Sequence, residues 1–279
     1  MSVGTEDDEL QDIEIDVLLE AVQRRYAYDF RGYARASLRR RLWHRASGEG
    51  VATISALQER VLHDPSAMER LLRDLSINVT EMFRDPTFHR TVRQKVFPLL
   101  RTYPYIRIWN AGCSTGEELY SVAIALHEEG LLDRARLYAT DINDDVLALA
   151  REGAFPLEHM QRYTENYLRA GGTESFSSYY TARGSQAYFD PALARHAVFA
   201  QHNLVSDRSF NEFNLIICRN VMIYFGRDLQ DRVHGLFLES LSRFGVLALG
   251  RKESLKGTVA EASYEALNQT ERIYKRREA

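Results

Sequence analysis

The residues best placed to do chemistry lie in one stretch, IRIWNAGCSTGEELYS (residues 106–121), where an apolar run enters a turn holding Gly112 and Gly116 and passes directly into a helix. Such a turn bares backbone N–H groups and a helix N-terminus outside the carboxyl end of a strand, the place where open α/β sheets bind nucleotide-type ligands. The two glycines bracket Cys-Ser-Thr, so the spacing departs from G-x-G-x-x-G and speaks against a nicotinamide dinucleotide. For a glycine pair alone, a tight turn that needs glycine only for its dihedrals is the plainer reading. A second run, RLYATDIN, ends in Asp141. An acid there can accept hydrogen bonds from both hydroxyls of a ribose lying across neighbouring strand ends, although Asp141 and Asn143 also suit an ordinary helix cap. Turn and acid together point to a nucleoside cofactor. Glu117 falls in the first turn of the helix after the glycines, where a carboxylate is favoured by the helix dipole and can pair with a cofactor ammonium.

These side chains need a rigid frame, and the hydrophobic pattern outlines one. Residues 10–26, 32–46, 53–63 and 66–75 carry apolar side chains three and four apart, separated by polar turns, which predicts a small helical domain. From Tyr105 onward, short apolar runs alternate with helical stretches: YIRIWN, ELYSVAIALHEE, RLYATD, NDDVLALARE, then HAVFAQHN, FNLIICRN and FGVLALG, with residues 228–241 as a covering helix. That alternation predicts a parallel sheet covered by helices. Residues 155–196 break the alternation with glycines, a proline and many tyrosines, and read as an insertion of turns and small strands. The expected organisation is a helical domain at 1–90, an α/β domain at 91–279 and a β insertion at 155–196.

The composition excludes several classes. Lys+Arg 36 against Asp+Glu 39 in 279 residues gives a formal net charge of -3, so no global field favours nucleic acid or a membrane surface. No apolar run approaches a bilayer span. The acidic start MSVGTEDDELQDIEI does not resemble a secretory signal, and with Cys113 and Cys218 read as reduced thiols the expected location is the cytoplasm. The eight histidines show no metal-ligand spacing, so no metal is expected.

Five motifs, in order, resemble the CheR family of chemotaxis methyltransferases: NVTEMFRD (78–85), NAGCSTGEELYS (110–121), YATDIN (138–143), QHNL (201–204) and IICRNVMIYF (216–225). The resemblance runs from the N-terminal helices to the last strands. It implies a Rossmann-like class I methyltransferase sheet carrying a small all-α N-terminal domain and a small β insertion. It further implies transfer of a methyl group from S-adenosylmethionine to glutamate side chains of chemoreceptors. Carried over by motif, the implied cofactor contacts are Asn78, Thr80 and Arg84 from the first, Glu117 from the second and Asp141 from the third. Asn203 and Leu204 follow from the fourth, and Cys218 and Arg219 from the fifth. Arg84 and Tyr224 are the implied catalytic pair at the reacting end. Leu119 stands where the family usually has proline, a change that a helix start tolerates.

The chemistry agrees with this assignment. A glutamate carboxylate is ionised at neutral pH and needs no general base, so proximity and a shielded encounter should supply most of the acceleration. The segment RGYARASLRRRLWHR offers Arg31, Arg35, Arg39 and Arg40 with no acid of its own, and Arg31, Arg35 and Arg39 recur at a spacing of four. Such a run is usually a solvated face; against an acidic receptor helix it becomes a docking surface. The partners expected are chemoreceptor cytoplasmic helices or another acidic signalling protein, with no nucleic acid, no membrane insertion and a monomeric enzyme. Two alternatives stay open: a methyltransferase acting on a different acceptor, and a non-catalytic cofactor-sensing interaction protein of the same fold. The stretch 176–199 has a single glycine, Gly184, and the bulk of Tyr179, Tyr180 and Tyr188 there argues against a receptor-tail strand adding to its edge.

Overall fold

The computed structural model describes residues 3–76 and 80–278, with side chains from Asp7 onward. The chain separates into two units, Met1–Ile77 with Tyr224–Gln230, and Asn78–Ile223 with Asp231–Ala279.

The first unit is helical: α1 (Val3–Tyr26), α2 (Arg35–Gly48), α3 (Ile54–His63) and α4 (Pro65–Leu75). Its starts are chemically marked. Thr53 accepts from the Ala56 N–H at 3.1 Å, and Asp64 accepts from the Ser66 N–H at 3.0 Å with Pro65 in the first helical position. Apolar residues at helical spacing meet inside, among them Ile15, Leu18 and Val22 of α1, Leu38 and Leu42 of α2, Leu57 and Val61 of α3, and Leu71 and Leu75 of α4. A polar cluster closes one end, where Glu49 accepts from Arg70 at 2.6 Å and from Arg45 at 3.2 Å; Arg70, then Arg45, pushes its carboxyl down to about 2.

The second unit begins with α5 (Pro86–Thr91), a π-helical turn at Val92–Val96 and α6 (Phe97–Leu100). Then follow β1 (Ile106–Ala111), α7 (Glu117–Glu128), β2 (Ala135–Asp141), α8 (Asp144–Glu152), β3 (Ala154–Pro156), α9 (Met160–Arg169), β4 (Tyr180–Arg183), β5 (Gln186–Phe189) and β6 (Ala197–Gln201). The chain ends with β7 (Phe213–Cys218), α10 (Arg227–Ser240), β8 (Leu241–Leu249), β9 (Tyr264–Asn268) and β10 (Ile273–Arg276), α10 beginning in the first unit and ending in the second. The main sheet has the order β6-β2-β1-β7-β8-β10-β9. Its first five strands are parallel, and β10 runs antiparallel to β8 and β9. The chain leaves β1 toward β2 on one side and returns to β7 on the other, so the exits of β1 and β7 form the topological switch point of the sheet. Trp109 fills the core beneath, fully buried, its indole N–H donating to Thr140 at 2.8 Å.

The alternation in the sequence marks β1, β2, β6, β7 and β8 correctly. It misses β9 and β10, whose runs YEALN and IYKR are short and half polar, β9 forming the sheet's outer edge and β10 lying between it and β8. The insertion is a three-stranded antiparallel sheet, β3-β5-β4. Two of its tyrosines do not stand where the sequence reading puts them: Tyr179 is buried and reaches Glu128 at 3.0 Å, and Tyr180 stacks on Phe189 at 5.4 Å. The outer residues Thr181, Ala182 and Arg183 of β4 are exposed, so tyrosine bulk does not close this edge. Among the described residues, no helix is long and apolar enough to cross a membrane.

Candidate active site

The site is built at the strand exits. The register pairs Ala111 of β1 with Thr140 of β2, so the glycine turn starts beside Asp141. The Gly112 and Cys113 N–H groups both donate to the Thr140 carbonyl, at 2.8 and 2.9 Å. Asp141 then fastens the turn: one carboxylate oxygen accepts from the Ser114 N–H at 2.9 Å, the other from the Asn143 N–H at 3.1 Å. Gly112 has φ +75°, and a Cβ there would stand 2.5 Å from Val221; Gly116, at φ +99°, begins α7 in the same left-handed region. Both positions therefore require glycine.

Glu117 is 6% exposed and accepts from the Thr115 hydroxyl at 2.6 Å. Burial pushes its carboxyl up, and burial does the same to Asp141. Around them Asn110 Oδ1, Ser114 Oγ and Asn143 Nδ2 are buried without a hydrogen-bond partner. Each such atom costs roughly 1–3 kcal/mol if left unpaired. A ligand with a cationic amine and a hydroxyl-bearing ribose suits that set, supplying positive charge to Glu117 and donors and acceptors to the rest. Cys113 and Cys218 are buried thiols whose ionisation burial opposes, at the exits of adjacent strands β1 and β7.

The NVTEMFRD segment joins the same edge. Residue 78 lies outside the described residues, so the expected contact of Asn78 has no counterpart here; Thr80 is half-buried. The Phe83 N–H donates to the Ser121 hydroxyl at 2.8 Å, and Ser121 donates to the Glu117 carbonyl at 2.6 Å, which ties the segment to α7. Arg84 sits between two residues of positive φ, Phe83 and Asp85. Arg219, expected as a cofactor contact, has both terminal guanidinium nitrogens bound within the protein, while its Nε is buried without a hydrogen-bond partner. It bonds Asp85 at 2.5 Å and Glu118 at 2.6 Å, and lies 4.0 Å over the Phe88 ring. Its place in the motif is therefore that of a strut joining α7, β7 and residue 85. Cys218 is fully buried, so its side chain belongs to the core and faces no open crevice.

After β6, Asn203 closes a turn, its side-chain oxygen accepting from the Val205 N–H at 2.9 Å, and Leu204 is buried beside it. Tyr224 belongs to the helical unit, where the Arg41 guanidinium lies 4.5 Å over its ring and donates to the Leu75 carbonyl at 2.5 Å. The arginine run is not a bare face. Arg39 pairs with Asp8 and Asp12, Arg35 with Asp12 and Asp16, and Arg31 with Glu20 and Asp29. Four carboxylates spaced by four along α1 thus meet arginines spaced by four, while Arg40 is exposed and makes no ion pair among the described residues. Taken one helix at a time, the sequence does not disclose this partner; the acids at 8, 12, 16 and 20 are the signal that can.

The sheet order, the glycine turn after β1 and the acid closing β2 define a Rossmann-like class I methyltransferase. Residues 78–272 match the family described as CheR methyltransferase, SAM binding domain, and residues 13–76 match CheR methyltransferase, all-alpha domain. The Cher3 protein of Pseudomonas putida is 50% identical over 265 residues, covering 95% of this chain and 97% of the other. The chemotaxis protein methyltransferase of Listeria innocua is 27% identical over 88% of this chain and 92% of its own. That of Salmonella typhimurium is 30% identical over 70% and 67%. The chain belongs to the CheR methyltransferase family, and its cofactor is S-adenosylmethionine.

Proposed function

We propose that this methyltransferase esterifies glutamate side chains of a chemoreceptor or a related signalling protein. S-adenosylmethionine supplies an electrophilic methyl group on a sulfonium. Glu117 holds the cofactor ammonium and Asp141 the ribose hydroxyls, with Asn203 and Leu204 beside the base and Thr80 and Asn78 completing the contacts. Arg84 and Tyr224 serve the reacting end, Arg84 orienting the incoming carboxylate. Cytoplasmic placement accords with such a partner.

The observation that carries this reading is that the acids of the matched motifs not assigned to the cofactor, Glu81, Asp85 and Glu118, are each paired with an arginine. His89 is fully buried between Phe83 and Phe88, and burial holds it well below the usual histidine range. His202 is packed on Trp109 with its Nε2 at 3.2 Å from the Arg208 carbonyl. Asp85 and Glu118 are bound to Arg219. A hydroxyl or protonated-amine acceptor would need a base, and these paired acids and packed histidines are poor candidates for it, whereas a carboxylate arrives already ionised. Arg84→Ala and Tyr224→Phe test the assignment: each should lower methyl-ester formation on receptor cytoplasmic domains by about tenfold or more, with melting curves matching the parent. Unchanged turnover in both would remove Arg84 and Tyr224 from the reacting end.

A further inference from the structure

Beside the switch point, the exits of β7 and β8 are joined through one carboxylate that no motif singled out. Glu253 is 5% exposed. Its Oε1 accepts from the Val221 N–H at 2.9 Å and the Met222 N–H at 2.8 Å; its Oε2 accepts from the Asn220 N–H at 3.1 Å and the Gly250 N–H at 2.6 Å. Four backbone donors therefore converge on one side chain. Three of them belong to one constrained turn, in which Asn220 has φ +63° without being glycine, and the fourth is the Gly250 N–H at the exit of β8. The turn follows directly on β7, whose Cys218 pairs with Leu249 of β8, so Gly250 and Asn220 leave the sheet side by side. A Cβ on Gly250 would stand 2.6 Å from Glu253 Oε2 and 2.9 Å from the Asn220 nitrogen, so only glycine fits there.

The turn in turn presses on the cofactor loop. Val221 packs against Gly112 so closely that a Cβ on Gly112 would meet its Cγ2 at 2.5 Å. Asn220 and Val221 are themselves half-exposed.

We propose that Glu253 is a positioning residue for cofactor binding: its carboxylate fixes the Asn220–Met222 turn, and through Val221 the turn fixes Gly112 and the loop that holds S-adenosylmethionine. The proposal concerns acceptor geometry, since all four partners are donors. It does not depend on which substrate is methylated.

Glu253→Gln and Glu253→Asp separate this role from simple packing. Glutamine keeps the size but turns an NH2 group toward N–H donors; aspartate loses a methylene but keeps two acceptor oxygens. Affinity for S-adenosylhomocysteine, measured by calorimetry on the full chain, should fall at least tenfold in Glu253→Gln and less in Glu253→Asp. Amide exchange should quicken at Asn220, Val221 and Met222 in Glu253→Gln, with β7 itself still protected. Val221→Ala leaves the four hydrogen bonds intact and removes only the contact with Gly112, and it should weaken binding about threefold; if Glu253→Gln fails to fold, this variant and Glu253→Asp decide. Binding in Glu253→Gln equal to or tighter than in Glu253→Asp, or unchanged binding in Val221→Ala, would overturn the proposal.

Discussion

Asp141 and Glu117 are buried carboxyls whose neighbours in the free protein do not fully offset the cost of their charge, and that imbalance makes them responsive to a cation. Removing either in Asp141→Ala or Glu117→Ala should cost one charge-assisted hydrogen bond of roughly 1.5–3 kcal/mol, a 10- to 150-fold loss in S-adenosylhomocysteine affinity by calorimetry. The pH dependence has a definite sign. Burial raises both carboxyls in the free protein, and the ammonium proposed to pair with Glu117 would favour its ionised form, so binding should release protons. Affinity is therefore full above the raised pKa values and falls as pH drops through them; calorimetry in buffers of different ionisation enthalpy reads the proton directly. An affinity independent of acid pH would separate these groups from the cofactor. The placement of both residues at the strand exits is legible in the sequence because strand, turn and acid are local patterns. The strut through Arg219 is not, since its partners Glu118 and Asp85 lie 101 and 134 residues away and only folding brings them together. Glu253 escaped notice for the same reason: its function lies in accepting backbone N–H groups, which leave no side-chain signature in a sequence.

Helices were read well by their spacing, but what faces them was not. The first helix begins at Val3 instead of near residue 10, and its early acidic turns cover the arginines of α2. Exposed pairs of this kind are worth about 0–1 kcal/mol each, weak enough for an acidic partner helix to displace. The arginine face at Arg31, Arg35, Arg39 and Arg40 is accordingly proposed as a docking surface already occupied by the protein's own carboxylates. Asp12→Asn with Asp16→Asn should free Arg35 of its ion pairs and Arg39 of one of its two, and speed methylation at low salt, with the gain vanishing as salt approaches a Debye length of about 3 Å near 1 M. A rate that falls or does not change in the double variant would mean that the ladder serves only to hold α1 against α2. The insertion shows the same limit of local reading: tyrosine content suggested a bulky edge, yet Tyr179 and Tyr180 turn inward because a three-stranded sheet needs an apolar face to bury.

The stability of the whole chain should carry the mark of its buried histidines. His234 is 1% exposed, and burial pushes it down to about 4 from 6.5. The unfolded chain therefore binds the extra proton between those values, so the contribution is complete above about pH 6.5 and is lost as pH falls toward 4, up to about 3 kcal/mol. His234→Leu should flatten that acid limb in denaturant titrations; an unaltered limb would assign it to other groups. Buried Glu253, Glu117 and Asp141, raised by the same cause, act in the opposite direction, because the folded state takes up their protons first. Cofactor binding should relieve that cost and raise the melting temperature more at neutral than at acid pH. All of this machinery is proposed to serve one reaction, esterification of a carboxylate that needs no base. The most direct measurement incubates the protein with methyl-labelled S-adenosylmethionine and receptor cytoplasmic domains, then treats the labelled product with mild alkali. The expected result is label on the receptor that is released as methanol and abolished by glutamate-to-alanine changes at the acceptor positions; label that withstands alkali, or that persists after those changes, would contradict it.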